Sequence, residues 1–257
     1  LARGFFLYNK NLLKYKTVFD EKQSTSDIST IGSMEHRALA RDAVSQSLVL
    51  LKNKNDVLPI TNKTATIRVA GSAADNVGKQ SGAWTVEWQG IDGNWLPGAT
   101  SILEGLREEA SDNVTIEFNE YAEFVAGTPK SEIGIAIVGE SPYAEGWGDN
   151  PNPTLTEDDL KTITKLQAVS EKVIVVLVSG RPLIITDDIE NWDALVAAWL
   201  PGSEGAGVAD VIFGKKPFTA TLPLAWPAST EQLPIDTDGV TKNGTPVLFP
   251  RYFGLSN

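Results

Sequence analysis

The chain has 257 residues, 42% of them hydrophobic and 21% charged, a balance that excludes disordered and fibrous classes and suffices for one large core or two small ones. Lys and Arg number 22 against 33 Asp and Glu, a net charge of −11 that opposes binding to nucleic acid or anionic membrane and favours neutral ligands. With no cysteine and a single histidine, His36, the sequence excludes disulfides, thiolate nucleophiles and multi-histidine metal sites, so carboxylates must carry the acid/base chemistry and no cofactor is implied.

Residues 1–33 carry five basic and three acidic side chains, which marks them as an N-terminal tail or connector distinct from the acidic remainder. They lack the apolar h-region of an intact signal peptide, and a processed or truncated chain is expected. No apolar run reaches the roughly 18 residues of a membrane-crossing helix, so no membrane partner is expected. The first periodic segment, residues 34–52, spaces Ala40, Val44, Leu48 and Leu51 for one face of an amphipathic helix, with Ser33 as its N-cap. His36 falls in the first turn of that helix and is given no chemical role.

Beyond it, apolar β-branched runs predict strands over residues 65–71, 114–118, 133–139, 173–180 and 194–202, separated by helical patterns over 101–110, 157–169 and 204–213. Thr154 and Thr156 provide the cap signal for the middle helix. Near-continuous apolarity means strands buried on both faces. Strand and helix alternate, which predicts an α/β fold: an open, mostly parallel sheet with helices on both sides and ligand sites in the loops at the strands' C-terminal ends. The core domain is expected over 34–257.

The loop after the first of these strands concentrates six glycines with Trp84, Trp88 and Trp95 in residues 71–98. Indole faces beside Gln, Glu, Asp and Asn suit the C–H faces and hydroxyl rim of a sugar, although a long loop folded back on its own domain has the same composition. The loop after residues 133–139 carries Glu140, Glu145 and Asp149 together with Tyr143 and Trp147. A carboxyl beside aromatic rings loses solvation, which favours its neutral form and suits a general acid. Glu145 lies deep enough in the loop to reach outward, Glu140 follows the strand end where a structural acceptor is equally natural, and Asp149 suits a turn. Small residues at 202–207 match no phosphate-loop spacing and are read as permitting a tight turn and close packing. Arg181 has no partner legible in the sequence.

Taken together, the segments SLVLLKNKNDVLPI (47–60), RVAGSAADN (68–76), GAWTVEWQG (82–90), GESPYAEGWGDN (139–150), VLVSGRP (176–182) and ALVAAWLPGSEGAGVADVIFG (194–214) resemble the second domain of glycoside hydrolase family 3. The likeness is nearest to exo-β-glucanases and β-glucosidases and spans about 34–257. The resemblance implies a six-stranded α/β sandwich that works beside a (β/α)8 barrel, and the barrel segments that hold the family's nucleophilic Asp do not occur in this chain. It assigns the acid/base role to Glu145, the second Glu of the pattern G-E-x-P-Y-x-E-x-x-G-D-N. By the same route Trp88 becomes one wall of an aromatic clamp for the leaving sugar, with Trp84 supporting it.

The likeness further implies a retaining exo-acting β-glucosidase or β-glucan glucohydrolase, secreted or periplasmic, whose isolated sandwich is inert because its two carboxyls must stand about 5 to 5.5 Å apart. Trp147, where the family often has a polar residue, is expected to narrow the mouth or desolvate the acid. The segments KPFTATLPLAWP and FPRYFGLSN depart from the family's usual forms as surface variations. The alternative is a non-catalytic carbohydrate-binding or interaction domain of the same fold, while a nucleotide-binding role is disfavoured by the charge and by the missing glycine fingerprint.

Overall fold

Strands without polar alternation need cover on both sides, and that requirement organises the molecule. The computed structural model describes residues 30–257 apart from 61–65, 86, 126, 236–238, 240, 243 and 257. The chain divides into two units between Arg37 and Ala38. Helix α1 (Met34–Ser47) begins in the first and runs on into the second; Ser33 caps it as expected, its Oγ accepting from the His36 N–H at 3.3 Å, and His36 itself is exposed.

The second unit holds strands β1 (Val49–Asn53), β2 (Thr66–Ala70), β3 (Thr115–Phe118), β4 (Ser131–Gly139), β5 (Ser170–Val178) and β6 (Ala194–Trp199). Between them run helices α2 (Val77–Ser81), α3 (Ile102–Glu109) and α4 (Glu157–Val169), and α5 (Ala206–Ile212) follows β6. The six strands form one sheet in the order β1-β6-β5-β4-β2-β3, parallel throughout except for β1, which pairs antiparallel with β6. The expected α/β fold is therefore present, with all five predicted strands.

One expectation fails. The helix predicted over 34–52 stops at Ser47, and residues 49–53 are an edge strand. Ala40, expected on the buried face, is exposed. The spacing of Leu48 and Leu51 fits a helix, but the same residues serve a strand: Leu48 and Leu50 join the core on one side of the sheet, Val49 and Leu51 the core on the other. Pairing with β6 satisfies the backbone there, and a tertiary partner overrides a local pattern.

Alternate residues along the central strands feed two cores. Ile67, Ile135, Ile137, Val176 and Val196 pack with α3 and α5, while Ala136, Val138, Val175, Leu177 and Leu195 pack with α4 and the C-terminal segment around Trp226. Ser101 caps α3 in a capping box with Glu104, and Thr156 caps α4 by accepting from the Asp159 N–H at 3.1 Å. The small residues at 202–207 serve turn and packing, as expected: Gly202 has φ +65, a Cβ on Gly205 would come within 2.6 Å of the Ile102 nitrogen, and one on Gly207 within 2.6 Å of the Arg41 carbonyl. Arg41 reaches into that contact and grips the buried Asp210 with Nε and Nη2, each at 2.7 Å.

The strand order places the site. From β2 the chain moves outward to β3, then returns to add β4, β5 and β6 on the opposite side of β2. The loop leaving β2 leads to α3 on one face of the sheet and the loop leaving the neighbouring β4 leads to α4 on the other, so the carboxyl ends of these two strands form a topological switch point.

Candidate functional site

The loop after β2 is shaped by its own amides. Asn76 caps α2, its Oδ1 accepting from the Lys79 N–H at 2.9 Å and from the Gly93 N–H at 2.8 Å, and Asn94 returns to accept from the Val77 N–H at 2.9 Å. These bonds hold residues 76–94 as a closed excursion. At its tip a tight turn brings the Trp84 N–H to the Trp88 carbonyl at 3.2 Å, and the two indoles meet with centroids 6.5 Å apart at 58°. Trp84 is 70% exposed and Trp88 47% exposed, so these rings face outward rather than folding back onto the core.

The loop after β4 is anchored by the carboxylate at the strand end. Glu140 accepts on Oε1 from Arg181 Nε (2.9 Å) and Nη2 (2.6 Å), and on Oε2 from Ser179 Oγ (2.5 Å) and the Tyr143 hydroxyl (3.1 Å). Every lone-pair direction of a partly buried charge is thus answered. Burial, and after it the Glu140 charge, push the Tyr143 phenol up to about 12, so it remains a donor. Arg181 also lies over the Tyr143 ring at 4.4 Å and donates from Nη1 to the Gly148 carbonyl at 2.6 Å. Glu140 is the structural member of the pair left open by the sequence, and Arg181 is its partner.

Between those anchors the chain makes a 3-10 turn, Glu145–Gly148, with Glu145 at φ +49, a left-handed conformation that costs a non-glycine residue on the order of 1 kcal/mol. Glu145 is exposed. The aromatic shelter expected around it from Tyr143 and Trp147 is not what these two rings provide. The Tyr143 ring turns down to stack on Arg181 and cover Gly148, where a Cβ would lie 2.2 Å from the ring, and Trp147 is 80% exposed.

A residue overlooked in the sequence joins the two loops. The Gln89 side chain takes both polar groups of the Ala144 backbone, accepting from its N–H at 2.9 Å and donating to its carbonyl at 3.4 Å. Gly90 then lies against Pro142, so close that a Cβ would approach the proline to 2.4 Å. Gln89 follows Trp88 and Ala144 precedes Glu145, so one clasp unites the aromatic and the acidic candidates. The only signal for it in the sequence was an amide flanked by Trp88 and Gly90.

Beneath the clasp a cavity of about 130 Å³, lined by Lys79, Glu140, Tyr143, Ser179 and Leu200 among others, is well short of the roughly 300 Å³ at which small-molecule pockets begin. Nearby, Lys79 Nζ donates to Ser72 Oγ, which donates to Asp159, both at 2.9 Å; burial raises the Asp159 carboxyl above its ordinary range.

Residues 48–257 match the glycosyl hydrolase family 3 C-terminal domain. Among curated proteins the chain is 32% identical over 223 residues to the lysosomal beta glucosidase of Dictyostelium discoideum, covering 79% of this chain and 27% of that protein. It is 29% identical over 247 residues to the periplasmic beta-glucosidase of Salmonella typhimurium, covering 83% and 31%. Among solved structures, a variant of the exo-1,3/1,4-beta-glucanase of a Pseudoalteromonas species superposes with a TM-score of 0.80 at 38% identity, over 88% of this chain and 37% of that one. The chain thus spans 27% to 37% of the length of these three proteins.

Proposed function

This chain belongs to the glycosyl hydrolase family 3 C-terminal domain family, and from that premise we propose that it is the acid/base-bearing domain of a retaining, exo-acting β-glucosidase or β-glucan glucohydrolase. In this reading residues 34–257 are the catalytic sandwich, residues 1–33 a tail or connector, and a (β/α)8 barrel supplies the nucleophilic Asp and the far side of the cleft. The observation that carries it is the pairing of an outward carboxyl, Glu145, with an outward indole pair, Trp84 and Trp88, on two loops clasped together at a topological switch point.

The chemistry proceeds in two balanced steps. The barrel Asp attacks the anomeric carbon at a non-reducing end while the glycosidic C–O bond breaks and protonated Glu145 gives its proton to the departing oxygen. Glu145, now a carboxylate, takes a proton from water as that water attacks the anomeric carbon and releases the Asp. Trp88 stacks on the leaving sugar and Trp84 backs it, a contact that recognises a ring face rather than one linkage. The 130 Å³ cavity and the exposure of Glu145 accord with a cleft whose second wall, and whose exclusion of water, come from the barrel. A location outside the cytoplasm accords with the periplasmic relative.

Glu145→Gln in the complete enzyme tests this. Hydrolysis of unactivated β-linked glucose disaccharides should fall by about 10² to 10⁴, while azide partly restores turnover of activated aryl glucosides. Undiminished disaccharide hydrolysis excludes the role.

A further inference from the structure

We propose that Gln89 is a positioning residue that couples the Trp88 wall to the acid/base turn, so that a leaving sugar seated on Trp88 helps to set where the Glu145 carboxyl stands. The proposal rests on the roles given above to Glu145 and Trp88, and goes beyond them in making the two loops one mechanical unit.

A left-handed residue such as Glu145 keeps its conformation only where its flanks are held. Here both flanks are. On the C-terminal side, Arg181 Nη1 holds the Gly148 carbonyl at 2.6 Å. On the N-terminal side, the Gln89 carboxamide holds Ala144 as a neighbouring strand would, occupying its N–H and its carbonyl together. The two anchors differ in what they stand on. Arg181 is tied to the end of the sheet through Glu140 and Ser179. Gln89 is tied to the turn whose other end is the Trp84 N–H bonded to the Trp88 carbonyl. A shift of the Trp88 backbone under a stacked ring is therefore transmitted through one side chain to the residue before the acid. Gly90 permits the link to be short, because no Cβ intervenes against Pro142.

The consequence for the bond-breaking step, which kcat/KM reports, is specific to protonation of the leaving group, while the base role of Glu145 in the water step bears on kcat for every substrate. A misaimed acid penalises substrates whose departing oxygen needs a proton and spares those that leave without one. Gln89→Met keeps the length and bulk of the side chain and removes both bonds. In the complete enzyme it should lower kcat/KM for a glucose disaccharide by about tenfold or more, since misplacement by an ångström is worth up to about a hundredfold, and steepen the dependence of rate on leaving-group acidity. kcat/KM for a dinitrophenyl β-glucoside, which reports only the bond-breaking step, should change by less than about threefold, because that leaving group needs no general acid. Gln89→Glu, which keeps an acceptor for the Ala144 N–H, should fall between the two on the disaccharide. Glu145→Gln is assayed in parallel. If it leaves disaccharide hydrolysis intact, the acid/base reading fails and the coupling with it. If it abolishes that hydrolysis while both Gln89 variants reduce kcat/KM for the two substrates equally, or reduce neither, the coupling alone is overturned.

Discussion

Arg181 and Glu140 meet through two guanidinium nitrogens on a single carboxylate oxygen, leaving the other oxygen to Ser179 and Tyr143. With only 14% of the Glu140 side chain exposed, this pair is the foundation of the loop that carries Glu145.

Removing the cation from that pair strands a charge that is mostly out of water. Arg181→Ala should destabilise the domain by about 2 to 3 kcal/mol, somewhat less than a fully buried pair because the guanidinium retains some solvent. Arg181→Lys should recover only part of this, since an ammonium cannot reach Glu140 and Gly148 together while lying over a ring. Denaturant unfolding of the three proteins decides it; a loss under 0.5 kcal/mol, on the order of an ordinary surface substitution, is the contrary result.

Trp88 is exposed in this chain and makes its ring contact with Trp84. Trp88→Ala should therefore leave the melting temperature nearly unchanged and raise KM for glucan oligosaccharides by about tenfold, the worth of one aromatic stacking contact, with a smaller effect on small aryl glucosides. Steady-state kinetics on both substrate types, beside a melting curve, separates this from a structural role, for which the two losses would be equal and the melting point would drop.

Gly90 sits at φ +77 with Pro142 and the Gly82 carbonyl in the space a Cβ would need. Gly90→Ala should force the two loops apart, costing about 1 to 3 kcal/mol through strain and overpacking, and should raise proteolytic nicking within residues 82–90 and 140–149. Limited proteolysis with mapped cut sites reads this directly, and an unchanged digestion pattern would contradict it.

Asp159 is held above its ordinary value by burial, against the help of Ser72, Lys79 and Thr156, with Asp158 adding to the rise. A carboxyl whose pKa is higher folded than unfolded binds its proton more tightly in the native state. Its contribution to stability is complete below about 3.9, the ordinary carboxyl value, and is lost as pH rises through the folded value. Asp159→Asn removes this dependence, so the variant should gain on the parent as pH climbs from that ordinary value toward neutrality. Urea midpoints measured across the window check the sign; parallel curves would refute it.

Much of the architecture is legible because buried parallel strands leave unmistakable apolar runs: residues 133–139 and 173–180 correspond to the two longest strands of the sheet, each buried over its last six residues. The antiparallel edge was not legible. Leu48 and Leu51 satisfy helical spacing as well as strand alternation, and only the presence of β6, far along the chain, distinguishes them. At the site, Trp84 and Trp88 stand out by residue type, since clustered indoles are unusual loop chemistry, whereas Glu145 is separated from Glu140 and Asp149 only by the family resemblance. Their supports do not stand out. Gln89 and Ala144 are 55 residues apart, Arg181 and Glu140 are 41 apart, and neither pair has a local pattern to announce it. The turning of the Tyr143 ring onto Arg181 is hidden for the same reason: the cation that captures it comes from the end of the next strand.

The bonds between Gln89 and Ala144 also bear on how such domains can be re-engineered. Segments 82–90 and 140–149 are a matched set, like two halves of a hinge cut to one pin. A chimera that imports one of them from a homologue inherits a mismatch at the seam, whereas a graft that moves both carries its own alignment with it and asks of the sheet below only the Ser179 and Arg181 that receive Glu140.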